Sequence, residues 1–462
     1  MNLPQPSHPA SAIRGVVLTP HGWVLGTLHH EQGRITQVQP EREGLLTEAQ
    51  ARACGLPLVL PGFIDLHVHG GGGRDIMEGG DAAGQVSRMH ARFGTTSLLA
   101  TTMTAPYEDI EQALLPIGQM MAQRPAGTSR VLGIHLEGPF INQGKLGAQP
   151  NYARQATLEE VRRLDALARI LLITLAPEAM SNRELIAPLR QMGMQVQLGH
   201  TLGTYEDGVD ALKRGARGFT HLFNAMTGLH HREPGMVGAA MAHAEFAEII
   251  PDLIHVHPGA IHAAMRCIPK LFCVTDSTSA AGMPDGNYLL GRHQVIKCMG
   301  GVRLADGTLA GSTLTMDQAL RNLVGLGLTV AEASNRVSTF AADYLDLQER
   351  GRLVAGAWAD LVLLDPPKLA ATERQVDKAS RAYKDLNLLA AKLLAPGGRL
   401  MTWSCSGAVG LELFKKIVAG AALDAHRDLH VVGHFHQPSD HPVPLSFPEA
   451  EYLKGLHLLA AD

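Results

Sequence analysis

The sequence predicts an α/β fold: a (β/α)8 barrel of the TIM type carrying a small β-sandwich layer, followed by a C-terminal unit of different texture. Three observations predict it. From residue 58 onward, eight apolar runs alternate with helix-like segments, the pattern of parallel strands buried on both faces. Eight such runs in this length fit a closed barrel better than an open sheet. Residues 12–60 are instead short extended pieces broken by Gly and Pro, which suits a small β layer. After Pro367 the texture changes again.

Taken in order, the predicted barrel strands are "LVLPGFIDLHVH", "TSLLATTM", "RVLGIHLEGPF", "ILLITLAPE", "QVQLGHT", "GFTHLFNAM", "EIIPDLIHVH" and "LFCVTDST". Between them, "TLEEVRRLDALA", opened by a Thr cap, and "TYEDGVDALKRGA", ending before Gly218, read as helices. Residues 280–310 are Gly-rich and extended, and "STLTMDQALRNLVGLGLTVAEASNRVSTFAADYL" reads as two helices. The segment "GRLVAGAWADLVLLD" returns to strand and can rejoin the N-terminal layer. The expected division is therefore 1–57 with 346–365 as the β layer, 58–345 as the barrel and 366–462 as the tail. In that tail, "SRAYKDLNLLAAKLL" reads as a helix, "APGG" as a turn and "RLMTWSCS" as a strand, with a further helix and strands after it.

Composition narrows the function. A chain of 462 residues with 45% hydrophobic and 18% charged residues is globular rather than disordered. Its net charge of -4 argues against a protein that clamps nucleic acid through charge. No run of about 18 apolar residues and no charged-then-apolar N-terminus occurs, so neither a membrane span nor a signal peptide is expected. The five cysteines, Cys54, Cys267, Cys273, Cys298 and Cys405, are scattered without a CxxC pair, which suits a reducing cytoplasm.

The chemistry sits at the C-terminal ends of the predicted strands, where barrel active sites are built. His67 and His69 are two apart and so share one side of a strand. Glu137 ends the third strand in "HLEGP", His200 the fifth in "LGHT", His221 the sixth in "THLFN" and Asp276 the eighth in "VTDST". Singly, each histidine reads as a hydrogen-bonded strand-end residue, and Asp276 as a helix N-cap. Jointly they read as a divalent metal site, because independent core histidines have no reason to select strand ends. Imidazole with carboxylate suits Zn2+ or Fe2+ better than Ca2+ or Mg2+. A remaining carboxylate as general base would complete a hydrolase.

Together, "PGFIDLHVHGGGG", "HLEGPF", "LGHT", "THLFNAMTGLHHREPG" and "VTDSTSAAGM" resemble the N-acetylglucosamine-6-phosphate deacetylases of the amidohydrolase superfamily, over residues 12–365. The resemblance implies a Zn2+ or Fe2+ enzyme with one or two ions per subunit. Glu137, His200 and His221 would bind the principal ion, and His67 and His69 a second. Asp276 would be the general base and acid, taking a proton from the attacking water and delivering it to the sugar nitrogen as acetate leaves. Ala148, Asn224, Ala225 and His255 would contact the amino-sugar phosphate, and Leu309, Ala310 and Gly311 would line its pocket. Arg232 would reach the phosphate in the neighbouring subunit's site, which implies a homodimer. One departure is Gln149: where many members have a histidine in a "KKGAH"-like stretch, this chain has "KLGAQP". An uncharged side chain there leaves room for another acylated amino sugar as substrate.

The tail resembles a different family, the class I S-adenosylmethionine-dependent methyltransferases that act on cytosine C5 of large-subunit ribosomal RNA. "LDPPKLA", "RAYKDLNLLAAKLLAPGGRLMTWSCSGAVG", "FKKIVAGAALDA" and "FPEAEYLKGL" carry it. It implies a partial Rossmann-like segment in which Cys405 would be the nucleophile and Asp365-Pro366-Pro367 would border the base. Only the second half of that fold is expected, since no Gly-rich strand-to-helix turn precedes Asp365 in the right context to bind the cofactor. Methyl transfer is therefore not expected. The rival readings are an RNA methyltransferase remnant carrying a degraded barrel and a non-functional fusion.

Overall fold

The computed structural model describes residues 11–364, 376–395, 397–404, 409–435 and 454–461. The chain opens with β1 (Ser11–Thr19), β2 (Gly22–Glu31) and β3 (Arg34–Pro40), an antiparallel meander, and β4 (Leu58–Pro61) pairs parallel to β1. Successive side chains of β1 and β4 enter two different cores. Val16, Leu58 and Leu60 join the main core, while Val17 and Val59 pack with Leu28, Ile35, Leu353 and Ala357 on the other face. Both faces are therefore covered, which explains why these strands read as continuous apolar runs.

The expected first barrel strand is in fact two strands that break at Gly62. β4 belongs to the layer, and β5 (Phe63–Val68) starts the barrel. The break is held by tertiary neighbours: a Cβ on Gly62 would lie 2.3 Å from Thr96 Oγ1. The Gly62 N–H donates to the Asp360 carbonyl at 2.8 Å, and its own carbonyl accepts from Ser338 Oγ at 2.6 Å.

After β5 a short hairpin, β6 (Gly70–Gly71) and β7 (Arg74–Asp75), leads into β8 (Thr95–Thr101), β9 (Arg130–Glu137), β10 (Ile170–Leu175), β11 (Gln195–Leu198), β12 (Gly218–Phe219), β13 (Phe246–Ile249) and β14 (Lys270–Cys273). The ladder runs β12-β11-β10-β9-β8-β5, with β13 and β14 as a separate pair, and every pairing is parallel. Two joins link the pieces. Leu222 N donates to the Glu248 carbonyl at 2.9 Å, and Asp276 N donates to the His67 carbonyl at 2.9 Å beside a parallel bridge between Val68 and Ser277. Eight parallel strands thus follow one another round a ring, as the alternating pattern predicts. The predicted helix starts also appear: Thr157 caps Leu158–Asp165, and Thr204 forms a capping box on Tyr205–Lys213.

Above the C-terminal ends of the strands, β15 (Gly286–Leu290), β16 (His293–Cys298) and β17 (Gly301–Arg303) form an antiparallel sheet. Leu290, Val295 and Val302 pack there against Met103, Ala280 and Ala310. β18 (Leu361–Leu364) then returns to pair antiparallel with β4, completing a five-stranded layer in the order β18-β4-β1-β2-β3.

In the tail, the helix Val376–Lys392, β19 (Arg399–Ser404), the helix Leu411–Asp424, β20 (Leu429–Phe435) and β21 (Lys454–Ala460) follow one another. The sheet order is β19-β21-β20, and both pairings are antiparallel. This unit has its own core, in which Tyr383, Phe414, Val418, Leu456 and Leu458 are buried. β19 therefore pairs within the tail and adds nothing to the N-terminal layer. Cys405 and Asp365-Pro366-Pro367 lie outside the described residues.

Candidate active site

The ring brings Glu137, His200, His221, His69 and Asp276 to the floor of a cavity of about 350 Å³, with His67 buried directly behind them. Glu137 stands at its centre with its two carboxylate oxygens divided. Oε1 is 3.2 Å from His200 Nε2 and 3.0 Å from His221 Nε2; Oε2 is 3.1 Å from His69 Nε2 and 3.4 Å from His67 Nε2. Asp276 Oδ1 closes the His67–His69 half at 3.5 and 3.3 Å. Within each half the paired imidazoles bring their Nε2 atoms to 3.1 Å of one another.

Backbone conformation aims these groups. His200 (φ 48°), His221 (φ 26°) and Asp276 (φ 50°) all hold left-handed backbone, which side-chain-bearing residues keep only where their surroundings over-determine it. That turn takes the chain out of the ladder just beyond the two-residue β12. Asp276 is fixed further, because its carbonyl accepts from Ser312 N at 2.7 Å. Gly70 supplies the close packing behind the His67–His69 loop, since a Cβ there would sit 2.5 Å from Ser279 N.

Burial penalises the charges on His67, His69, Glu137 and Asp276, and their neighbours outweigh it. His67 is buried, yet Glu137, Asp276 and Glu248 hold its imidazole well above its ordinary pKa. Burial lowers His69, but hydrogen bonds to Asp276 and Glu137 lift it to about 9. Burial raises Glu137 and Asp276, while the histidines bring Glu137 well below the usual carboxylate range and lower Asp276. The site is thus a set of carboxylates and imidazoles holding protons between them, which a cation would displace.

The predicted substrate residues divide. Ala148, Asn224, Ala225, His255, Leu309 and Gly311 line the cavity, with Gln149 beside them. Ala310 is buried in the small core under the β15–β17 sheet. Arg232 is exposed on the loop after His221, where its Nη1 meets His231 Nε2 at 2.7 Å, and it does not line this cavity. His255 Nδ1 is held by Asp252 Oδ2 at 2.6 Å.

Three buried groups escape the sequence reading. Glu248, from β13, places Oε2 3.1 Å from His67 Nδ1. Asp65 accepts from Thr275 Oγ1 at 2.6 Å, and burial pushes its carboxyl up to about 7. His135 lies with its ring 4.5 Å from that of His67, and its Nδ1 and Nε2 contact the Leu66 carbonyl and Thr174 Oγ1 at 3.1 and 2.8 Å. With both nitrogens engaged, His135 is structural although it lies near His67 and Glu248. A usable signal for Glu248 was a lone carboxylate inside the apolar run "FAEII", since an unpaired buried charge needs a partner.

The sequence profile of the amidohydrolase family matches residues 58–390. The chain belongs to the amidohydrolase family. This amidohydrolase is 38% identical over 337 residues to an N-acetylglucosamine-6-phosphate deacetylase from Lysinibacillus sphaericus, covering 71% of this chain and 86% of the relative. It is 39% identical over 358 residues to an N-acetylgalactosamine-6-phosphate deacetylase from Escherichia coli O157:H7, covering 76% and 93%. Among solved structures, it resembles the N-acetyl-D-glucosamine-6-phosphate deacetylase of Mycobacterium smegmatis in complex with N-acetyl-D-glucosamine 6-phosphate. The TM-score is 0.70 and the identity 31%, over 78% of this chain and 96% of that one.

Among the described residues, Glu137–His200–His221, His67–His69–Asp276 and His67–His135–Glu248 could each hold a divalent metal ion, and the first two open onto the cavity. The donor set fits such an ion, because all four imidazoles turn Nε2 inward onto two carboxylates. No helix among the described residues is long and apolar enough to cross a membrane.

Proposed function

We propose that this amidohydrolase hydrolyses the N-acetyl group of N-acetylglucosamine 6-phosphate, releasing glucosamine 6-phosphate and acetate in amino-sugar catabolism. The observation that carries the proposal is Glu137, whose two oxygens serve the two histidine pairs on the floor of the cavity. The relatives supply the substrate class. Glu137, His200 and His221 hold the principal Zn2+ or Fe2+, and His67 and His69 a second. A divalent cation there supplies Lewis acidity, polarising the acetyl carbonyl and acidifying water.

The remaining steps belong to the chain. Asp276, kept ionised beside His67 and His69, accepts a proton from the attacking water and gives it to the amide nitrogen as the carbon–nitrogen bond breaks. Ala148, Asn224, Ala225 and His255 hold the sugar phosphate, Leu309 and Gly311 line its pocket, and Ala310 packs in the core behind them. Arg232, exposed and away from the cavity of its own chain, reaches the site of a second subunit in a homodimer.

Gln149 and the galactosamine-type relative support a second reading, in which the N-acetylgalactosamine phosphate is the better substrate. Acetate release from the two sugar phosphates by metal-loaded protein, beside an Asp276→Asn variant, tests both. Release by the wild-type chain and its loss in the variant are expected. No release from either sugar, or equal release by the variant, overturns the assignment.

The tail is read as the second half of a class I methyltransferase fold, joined to the deacetylase at the strand both families share. What supports this is the helix–strand–helix–strand order after residue 376, together with the capture of Leu361–Leu364 by β4 of the layer. The strand that would border a methyl-transfer site is thus used elsewhere.

A further inference from the structure

We propose that Glu248 is a positioning residue that makes the His67–His69 half of the site able to hold a cation. The inference rests on reading the cavity as a metal-dependent active site. Glu248 is fully buried, and its Oε2 both lies 3.1 Å from His67 Nδ1 and accepts the backbone N–H of His221 at 3.2 Å. That contact ties the outer nitrogen of His67 to a carboxylate and turns its Nε2 toward the site. Its Nε2 faces His69, Glu137 and Asp276 at 3.1, 3.4 and 3.5 Å.

The other three imidazoles are held differently. His200 Nδ1 contacts the Lys145 carbonyl at 2.8 Å, while His69 Nδ1 and His221 Nδ1 are buried without a hydrogen-bond partner. Of the four, His67 alone has its outer nitrogen on a carboxylate. That contact selects the tautomer, fixes the ring and raises the basicity of the nitrogen facing the site. Glu248 grips the side chain of His67 but only the backbone of His221, so its loss falls first on the His67–His69 half. The second Glu248 oxygen has no hydrogen-bond partner, so no wider hydrogen-bonding network accounts for a carboxyl group buried here.

Cobalt(II) titration of the metal-stripped chain, followed by ligand-field absorption and by equilibrium dialysis, tests this without substrate. A failure of the deacetylase assignment would therefore leave the result readable. The wild-type chain is expected to take two ions. Glu248→Gln, which keeps the shape and removes the charge, is expected to weaken the second dissociation constant by about 10–100-fold and leave the first unchanged. Melting in chelator reports whether the variant is folded. In a His67→Asn background, where the ligand itself is gone, adding Glu248→Gln should change neither constant. A wild-type chain that takes one ion at saturation overturns the proposal, as does an unchanged second constant. So does an equal loss in both constants, or a further loss in the His67→Asn background.

Discussion

Gln149 donates from Nε2 to Glu137 Oε2 at 2.6 Å, while its own carbonyl oxygen accepts the backbone N–H of Thr104 at 2.7 Å. The side chain that departs from the family pattern is therefore clamped between the Thr104 backbone and the carboxylate shared by the two halves of the site. Replacing Gln149 by Leu removes both bonds in a buried setting. It leaves the Thr104 N–H unpaired and frees the Glu137 carboxylate to rotate. Metal affinity and kcat are expected to fall about 10–100-fold, with far-UV circular dichroism unchanged. Metal binding and turnover equal to wild type would show the clamp to be idle.

The metal-free site should make stability depend on pH. His69 is raised to about 9, above the roughly 6.5 of an unfolded histidine. Its contribution is therefore fully present below about pH 6.5 and lost as pH climbs through about 9. His67 is shifted the same way. The chelator-treated chain is expected to melt at progressively lower temperature from pH 6.5 to 9. The zinc-loaded chain, whose ligand histidines are already deprotonated, should not follow it. Identical pH profiles for the two forms would contradict the proton-sharing described here.

Gly311 has φ +60°, and a Cβ placed on it would sit 2.6 Å from Thr278 Cγ2 and 2.8 Å from the Asp276 carbonyl. Gly311→Ala pushes on Asp276, which carries the proposed general base. The left-handed backbone alone costs roughly 1–2 kcal/mol, and the clash adds to it. A lowered melting temperature together with lowered kcat is expected, measured by calorimetry and acetate release.

If Arg232 binds the phosphate of a neighbouring subunit, Arg232→Ala should raise KM about 10–100-fold, the worth of a charge-assisted hydrogen bond. The turnover number should be kept. Sedimentation should show a dimer for both proteins. A monomeric wild-type chain with unchanged KM in the variant would remove Arg232 from the site.

For the tail, isothermal calorimetry with S-adenosylmethionine should show no heat of binding, since Leu361–Leu364 pairs with Leu58–Pro61 of the layer. Micromolar binding would restore the methyltransferase reading.

Much was legible before the structure. Buried parallel strands write themselves as apolar runs, and the polar residues that end them stand out against that background; hence His67, His69, Glu137, His200, His221 and Asp276 could be named from spacing alone. The Thr157 cap was legible because capping is a local interaction. Three things were not. The break at Gly62 depends on Thr96, Ser338 and Asp360, far away in sequence. Glu248 looks like an interruption in an apolar strand until His67 is beside it. Gln149 reads as a missing charge until Thr104 and Glu137 are seen to hold it.

By itself the sequence determined which residue types end each strand, because alternating apolar runs impose a ring and direct those ends to one rim. The tertiary structure decided how the donors are shared: that Glu137 splits its oxygens between two histidine pairs, that Glu248 takes the outer nitrogen of His67, and that Leu361–Leu364 joins the layer. The physical reason is that hydrogen-bond partners and buried charges are chosen across long sequence separations. Strand periodicity records which face a residue occupies and nothing of what meets it there.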